Sequence, residues 1–138
     1  MFIKQLYTGC LSEAAYYIES EGEAAIIDPL RDIDEYITLA KERNAGIKYI
    51  FETHFHADFV SGHLDLSKQT GAPIIYGPGA KTNFKVHNSK DGEIFKLGKI
   101  SFEVLHTPGH TLESACYLLK DENDKAHALF TGDTLFVG

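Results

Sequence analysis

Thr53-His54-Phe55-His56-Ala57-Asp58-Phe59-Val60-Ser61-Gly62-His63 follows directly on the apolar run Ile47 to Phe51. That run has the composition of a buried strand, residues 52–58 read as a polar loop, and a helical pattern is expected from about Phe59 to Gln69. Thr70-Gly71-Ala72-Pro73 stops it. Alternate residues of an extended segment point to one side, so His54, His56 and Asp58 can converge on a single point. Imidazole nitrogen and carboxylate oxygen together suit zinc or iron.

Two further segments repeat this placement downstream. Thr107-Pro108-Gly109-His110-Thr111 follows an expected strand Lys99 to Leu105, and Thr131-Gly132-Asp133-Thr134 follows an expected strand Ala126 to Phe130. Each puts a ligand type at the C-terminal end of a strand, where Gly and Pro let the backbone turn sharply. Three loops then serve one metal site. The remaining histidines, His63, His87, His106 and His127, read as structural or exposed, because none stands in such a motif. Cys10 and Cys116 are too few and too far apart for a metal or redox motif and read as small core residues.

Working back toward the N-terminus, Phe2 to Tyr7, Ala15 to Glu19 and Ala24 to Asp28 form an expected meander, with Glu21-Gly22-Glu23 as a short loop between antiparallel strands. Ile33, Tyr36, Ile37 and Ala40 recur at helical spacing. A capping box of Asp32 and Glu35 is expected to open that helix, and Gly46 to close it. Toward the C-terminus the expected strands are Ile74 to Tyr76, Glu93 to Leu97, Lys99 to Leu105, Ser114 to Leu119 and Ala126 to Phe130. Gly77 to Gly92 reads as a loop, and Thr134 to Gly138 as an apolar segment after a strand.

The 138 residues fit one domain, 1–138. With 43% hydrophobic and 24% charged residues the chain is expected to be globular. A net charge of −7 without a basic block disfavours nucleic acid. The sequence shows neither a signal peptide nor a run of about 18 apolar residues, and it points to the cytoplasm and to no membrane partner. The apolar ending suggests truncation at the C-terminus.

In order, His-x-His-x-Asp, Gly-His and Gly-Asp resemble the metallo-β-lactamase superfamily across essentially the whole chain. The resemblance implies an α+β fold, the αββα sandwich, of which this chain covers the N-terminal part. In it Asp28, within Ile27-Asp28-Pro29, supports the metal-bearing loops. Hydrolases of the superfamily usually read His-x-His-x-Asp-His, the last pair helping to bind a second metal. Here Phe59 follows Asp58, and a phenyl ring cannot ligate.

The Asp-Phe variant looks most like the persulfide dioxygenase branch, often fused to rhodanese domains. That resemblance implies one Fe(II) per chain held by His54, His110 and Asp133, with His56 and Asp58 orienting ligands or bound water. A two-His-one-carboxylate face leaves open positions for O2 and a substrate. The implied reaction oxidises a low-molecular-weight thiol persulfide, such as glutathione persulfide, to sulfite and free thiol, with a homodimer and a fused rhodanese domain as possible partners. The alternative is a Zn(II) thioester hydrolase of the glyoxalase II type, with His54, His56, His110 and Asp133 as ligands. A second alternative is a non-catalytic partner-binding module.

Without the second half of the sandwich, the apolar side chains Ala128, Leu129 and Phe130 of the last long strand, and Leu135, Phe136 and Val137 beyond it, are expected to face water.

Overall fold

The computed structural model describes residues 1–7, 14–53, 62–78, 85–106, 115–131 and 135–137. Two sheets carry the fold. The first runs β1 (Phe2–Tyr7), β2 (Ala14–Ser20), β3 (Glu23–Ile27), β4 (Gly46–Phe51), β5 (Ile74–Tyr76) and β6 (His87–Asn88), paired in that order. Its first three strands form the antiparallel meander, and β3 through β6 are parallel. Parallel neighbours need crossovers, supplied by α1 (Asp34–Glu42) before β4 and α2 (His63–Thr70) before β5.

The second sheet is antiparallel throughout and contains β7 (Ile94–Leu97), β8 (Ile100–His106), β9 (Ala115–Lys120), β10 (Ala126–Phe130) and β11 (Leu135–Val137). Its order is β11-β10-β9-β8-β7.

Side-chain period explains the layering. Tyr16, Ile18, Ala25 and Ile27 point at the second sheet and join Phe102, Val104, Tyr117, Leu119 and Phe130 in a core between the sheets. Their neighbours Ala15, Tyr17, Ala24 and Ile26 point the other way, against Ile33, Tyr36 and Ala40 around α1 and Leu66 of α2. β2 and β3 therefore read as continuous apolar runs, since both faces are covered. β8 and β9 alternate between buried and half-buried residues, because only their inner face is packed among the described residues. The layers present are helices, sheet and sheet. This is the α+β architecture expected, covering part of the αββα sandwich.

The core centres on Phe51. Its ring lies 4.8 Å from those of Phe102 and Tyr117 and 5.5 Å from Phe95. The expectation that Ala128 and Phe130 face water is overturned, since both are buried and the Phe130 ring stands edge-on to Tyr16 at 5.0 Å. The first sheet already covers that strand. Leu129, on its opposite face, is half-buried, and the side chains of residues 135–137 lie outside the described set.

Several boundaries differ from the sequence reading for local reasons. α1 has Ile33 at its N-cap with no side-chain cap. Asp32 Oδ1 instead accepts from the Asp34 N–H at 3.2 Å, an Asx turn in place of the capping box. At the other end Asn44, at φ 55°, takes the left-handed position expected of Gly46. The Ala45 N–H reaches the Ala40 carbonyl at 2.8 Å and the Asn44 N–H reaches Lys41 at 3.2 Å, which completes a Schellman motif. Gly46 is then free to begin β4. The stretch read as a loop from Gly77 to Gly92 contains the two-residue strand β6, too short to leave a periodic signal. The Glu21-Gly22 turn matches expectation, with φ of 51° and 77° at its two central residues, the twist that a tight hairpin needs.

Candidate metal centre

Each segment proposed to carry a metal ligand leaves the end of a strand. Residue 54 is the third after β4, 110 lies between β8 and β9, and 133 lies between β10 and β11. His54, His56, Asp58, His110 and Asp133 themselves lie outside the described residues, as does Phe59. The strand ends that flank them are described, and they meet. The Ala115 N–H donates to the Thr53 carbonyl at 2.8 Å, and the Tyr117 hydroxyl donates to the Glu52 carbonyl at 2.6 Å. Phe130 sits opposite Tyr117 on one side and Leu135 on the other in the ladder. All three motif-bearing segments thus open from one edge of the two-sheet core. Two imidazoles and a carboxylate on such segments, with a third imidazole and a second carboxylate nearby in sequence, are a donor set suited to zinc or ferrous iron.

Asp28 lies just past β3 with φ 52°, so it leaves the strand instead of ending it. The residue is 8% exposed, and its carboxylate accepts twice from one residue, from the Thr53 N–H at 2.9 Å and from the Thr53 hydroxyl at 2.6 Å. Its own N–H donates to the Phe51 carbonyl at 2.9 Å. The residue immediately before His54 is therefore held from a neighbouring strand end by charge-assisted bonds.

The far end of the same segment is fixed by packing. The Gly62 N–H donates to the Pro29 carbonyl at 3.1 Å, and a β-carbon at residue 62 would overlap the Leu30 carbonyl oxygen and the Ile33 side chain. Leu30 is in turn held by its N–H, which donates to the buried Tyr36 hydroxyl at 2.7 Å. Gly62→Ala is expected to cost about 1–3 kcal/mol, because the opposing atom is backbone and cannot swing away. A melting temperature within a degree of the parent's would show that the Asp28–Leu30 turn yields more easily than its hydrogen bonds suggest.

Sequence reasoning gives Glu52 no part beyond the polar loop, while His63, expected to be structural or exposed, is a structural member of this base. Both are wholly buried, with His63 Nδ1 3.2 Å from Glu52 Oε1. The signal available was a glutamate and a histidine flanking the motif on its two sides. Tyr117 also belongs here. Burial pushes its hydroxyl well above the ordinary tyrosine value, with the Asp28 and Glu52 carboxylates adding to the effect, so it stays protonated and donating. His87 is exposed and lies 2.7 Å from Glu93, and the His106 N–H bonds Asp91 at 2.9 Å.

Residues 8–138 match the metallo-beta-lactamase superfamily, and the chain belongs to it. It is 35% identical over 137 residues to a probable hydroxyacylglutathione hydrolase of Schizosaccharomyces pombe, an alignment covering 95% of this chain and 52% of that protein. It is 33% identical to the cytoplasmic hydroxyacylglutathione hydrolase of Arabidopsis thaliana, over 98% of this chain and 54% of that one.

Among solved structures, a metallo-beta-lactamase from Staphylococcus aureus superposes with a TM-score of 0.85 at 39% identity, covering 95% of this chain and 42% of that chain. ETHE1 from Myxococcus xanthus superposes at 0.77 with 30% identity, covering 86% and 54%. The chain spans about half the length of the curated relatives it matches.

Proposed function

We propose that this chain is the metal-binding half of an enzyme that acts on the sulfur-borne group of a glutathione-like thiol. The reaction we favour is oxidation of a thiol persulfide by O2 and water to the free thiol and sulfite. The observation that carries this choice is Phe59, which stands where hydrolases of the superfamily place a histidine. A phenyl ring removes a donor from the second metal position, and the donor set that remains suits a single ion. The likeness to ETHE1 at 30% identity supports the same reading.

In this proposal His54, His110 and Asp133 hold one ferrous ion, which supplies the electron transfer that makes O2 reactive toward sulfur. His56 and Asp58 orient the ligands or a bound water. Asp28 fixes Thr53 at the base of the first ligand segment. The persulfide, O2, a cytoplasmic setting and a rhodanese domain in the full-length protein all belong to the proposal. Within the described residues, no helix is long and apolar enough to cross a membrane.

Hydrolysis of a glutathione thioester at zinc is the second reading. The names of the curated relatives favour it over the first, since they are called hydroxyacylglutathione hydrolases. His56 would then join His54, His110 and Asp133 as a ligand.

The two readings part on substrate. Full-length protein should consume O2 with glutathione persulfide and leave a glutathione thioester intact. Thioester cleavage without O2 uptake would establish the hydrolase instead. Phe59→His restores the Asp-His pair and is expected to raise zinc uptake from about one equivalent toward two. Unchanged stoichiometry in the full-length variant would remove Phe59 from the argument.

A further inference from the structure

The segment from Thr53 to Gly62 is held at both ends by a common turn. Asp28 grips Thr53 at the entry, and the Pro29 carbonyl takes the Gly62 N–H at the exit. Glu52 and His63 flank these two residues and meet each other directly, Nδ1 to Oε1 at 3.2 Å, with both side chains at 0% exposure.

Glu52 is itself rigidly seated. Its N–H donates to the Ile75 carbonyl at 2.9 Å, and its carbonyl accepts from Tyr117. Because Phe51 points into the core between the sheets, Glu52 points to the other face, toward the helices, where His63 opens α2. The His63 ring stands edge-on to Tyr76, at the end of β5, with centroids 6.3 Å apart.

A buried carboxylate and imidazole are an expensive way to fill space, since apolar residues of similar volume are often as stable or more so. A hydrogen bond, unlike apolar packing, fixes direction and distance. We propose that Glu52 and His63 are positioning residues for the metal centre, a buried strut that sets the span across which residues 54–61 present His54, His56 and Asp58. The inference rests on the reading of that segment as metal-binding. The pair acts through the ends of the segment that carries the proposed ligands. Partners of this kind, one step removed from a metal, alter affinity by about 10- to 100-fold when lost.

The test is zinc affinity in the metal-free full-length protein, titrated against a chromophoric chelator, with melting temperature measured in parallel. Glu52→Met/His63→Phe keeps the volume and buries no unpaired charge, so it should stay folded. Its zinc affinity should fall about 10- to 100-fold. His63→Asn, whose amide nitrogen takes the place of Nδ1, should retain affinity within a few-fold of the parent. A role in packing alone would move melting temperature and leave affinity where it was.

Glu52→Leu/His63→Leu covers failure of the first pair to fold. A folded form of either double variant with the parent's affinity overturns the proposal, and so does a folded His63→Asn protein that binds zinc as weakly as they do. A parent protein that takes up no zinc overturns the metal-site reading, and the strut with it.

Discussion

Asp28→Ala should lower stability by about 3–5 kcal/mol, which for a chain of this length is on the order of 10–20 °C in melting temperature. Three losses add up. The Thr53 N–H and hydroxyl both lose their Asp28 acceptor in a place where Thr53 is wholly buried, each costing about 1–3 kcal/mol. Alanine must also adopt φ 52°, a left-handed conformation that aspartate tolerates better, at about 1 kcal/mol more. Metal affinity should fall as well, because Thr53 immediately precedes His54. Asp28→Asn keeps one acceptor and the tolerance of positive φ, and should lose roughly half as much. Thermal unfolding of the two variants beside the parent checks this, and a loss under about 1 kcal/mol for Asp28→Ala would mean that Thr53 is held by other means.

The second large effect concerns the proposed ligands. His54→Ala, His110→Ala and Asp133→Ala should each reduce bound iron to background after dialysis, since two protein donors hold a labile ferrous ion poorly. His56→Ala should keep most of its metal and lose activity, as befits a group that orients its neighbours. Elemental analysis of the four variants separates the readings. If His56→Ala empties as fully as His54→Ala, a four-ligand site of the hydrolase kind replaces the three-ligand one.

The fold was legible where period and punctuation agree. The meander of β1 to β3, the α1 stripe and the alternation of β8 and β9 all follow from side-chain spacing, which tertiary packing then satisfied. Boundaries were less legible wherever a hydrogen bond outweighed propensity. Asn44 displaced Gly46 as the helix terminator because the Schellman bonds close there. Strand β6 is fixed by pairing with β5 and by Ser89, whose N–H and hydroxyl both donate to the Tyr76 carbonyl, and nothing in its two residues announces it.

Burial was misjudged for Ala128 and Phe130, since the reading assigned them to a missing layer when the first sheet lies against them. For the site, spacing picks out the motif residues as candidates, and these lie outside the described residues. The pairing of Glu52 with His63 is not legible in the sequence, because the two meet across eleven positions of chain and only the fold brings α2 back to the end of β4.

Metal content and turnover in one sample of full-length protein, purified without oxygen, test the central claim most directly. The account predicts about one iron per chain, no second metal, and O2 uptake that depends on added persulfide and disappears in Asp133→Ala. Two zinc ions per chain, with thioester cleavage and no O2 uptake, would contradict it.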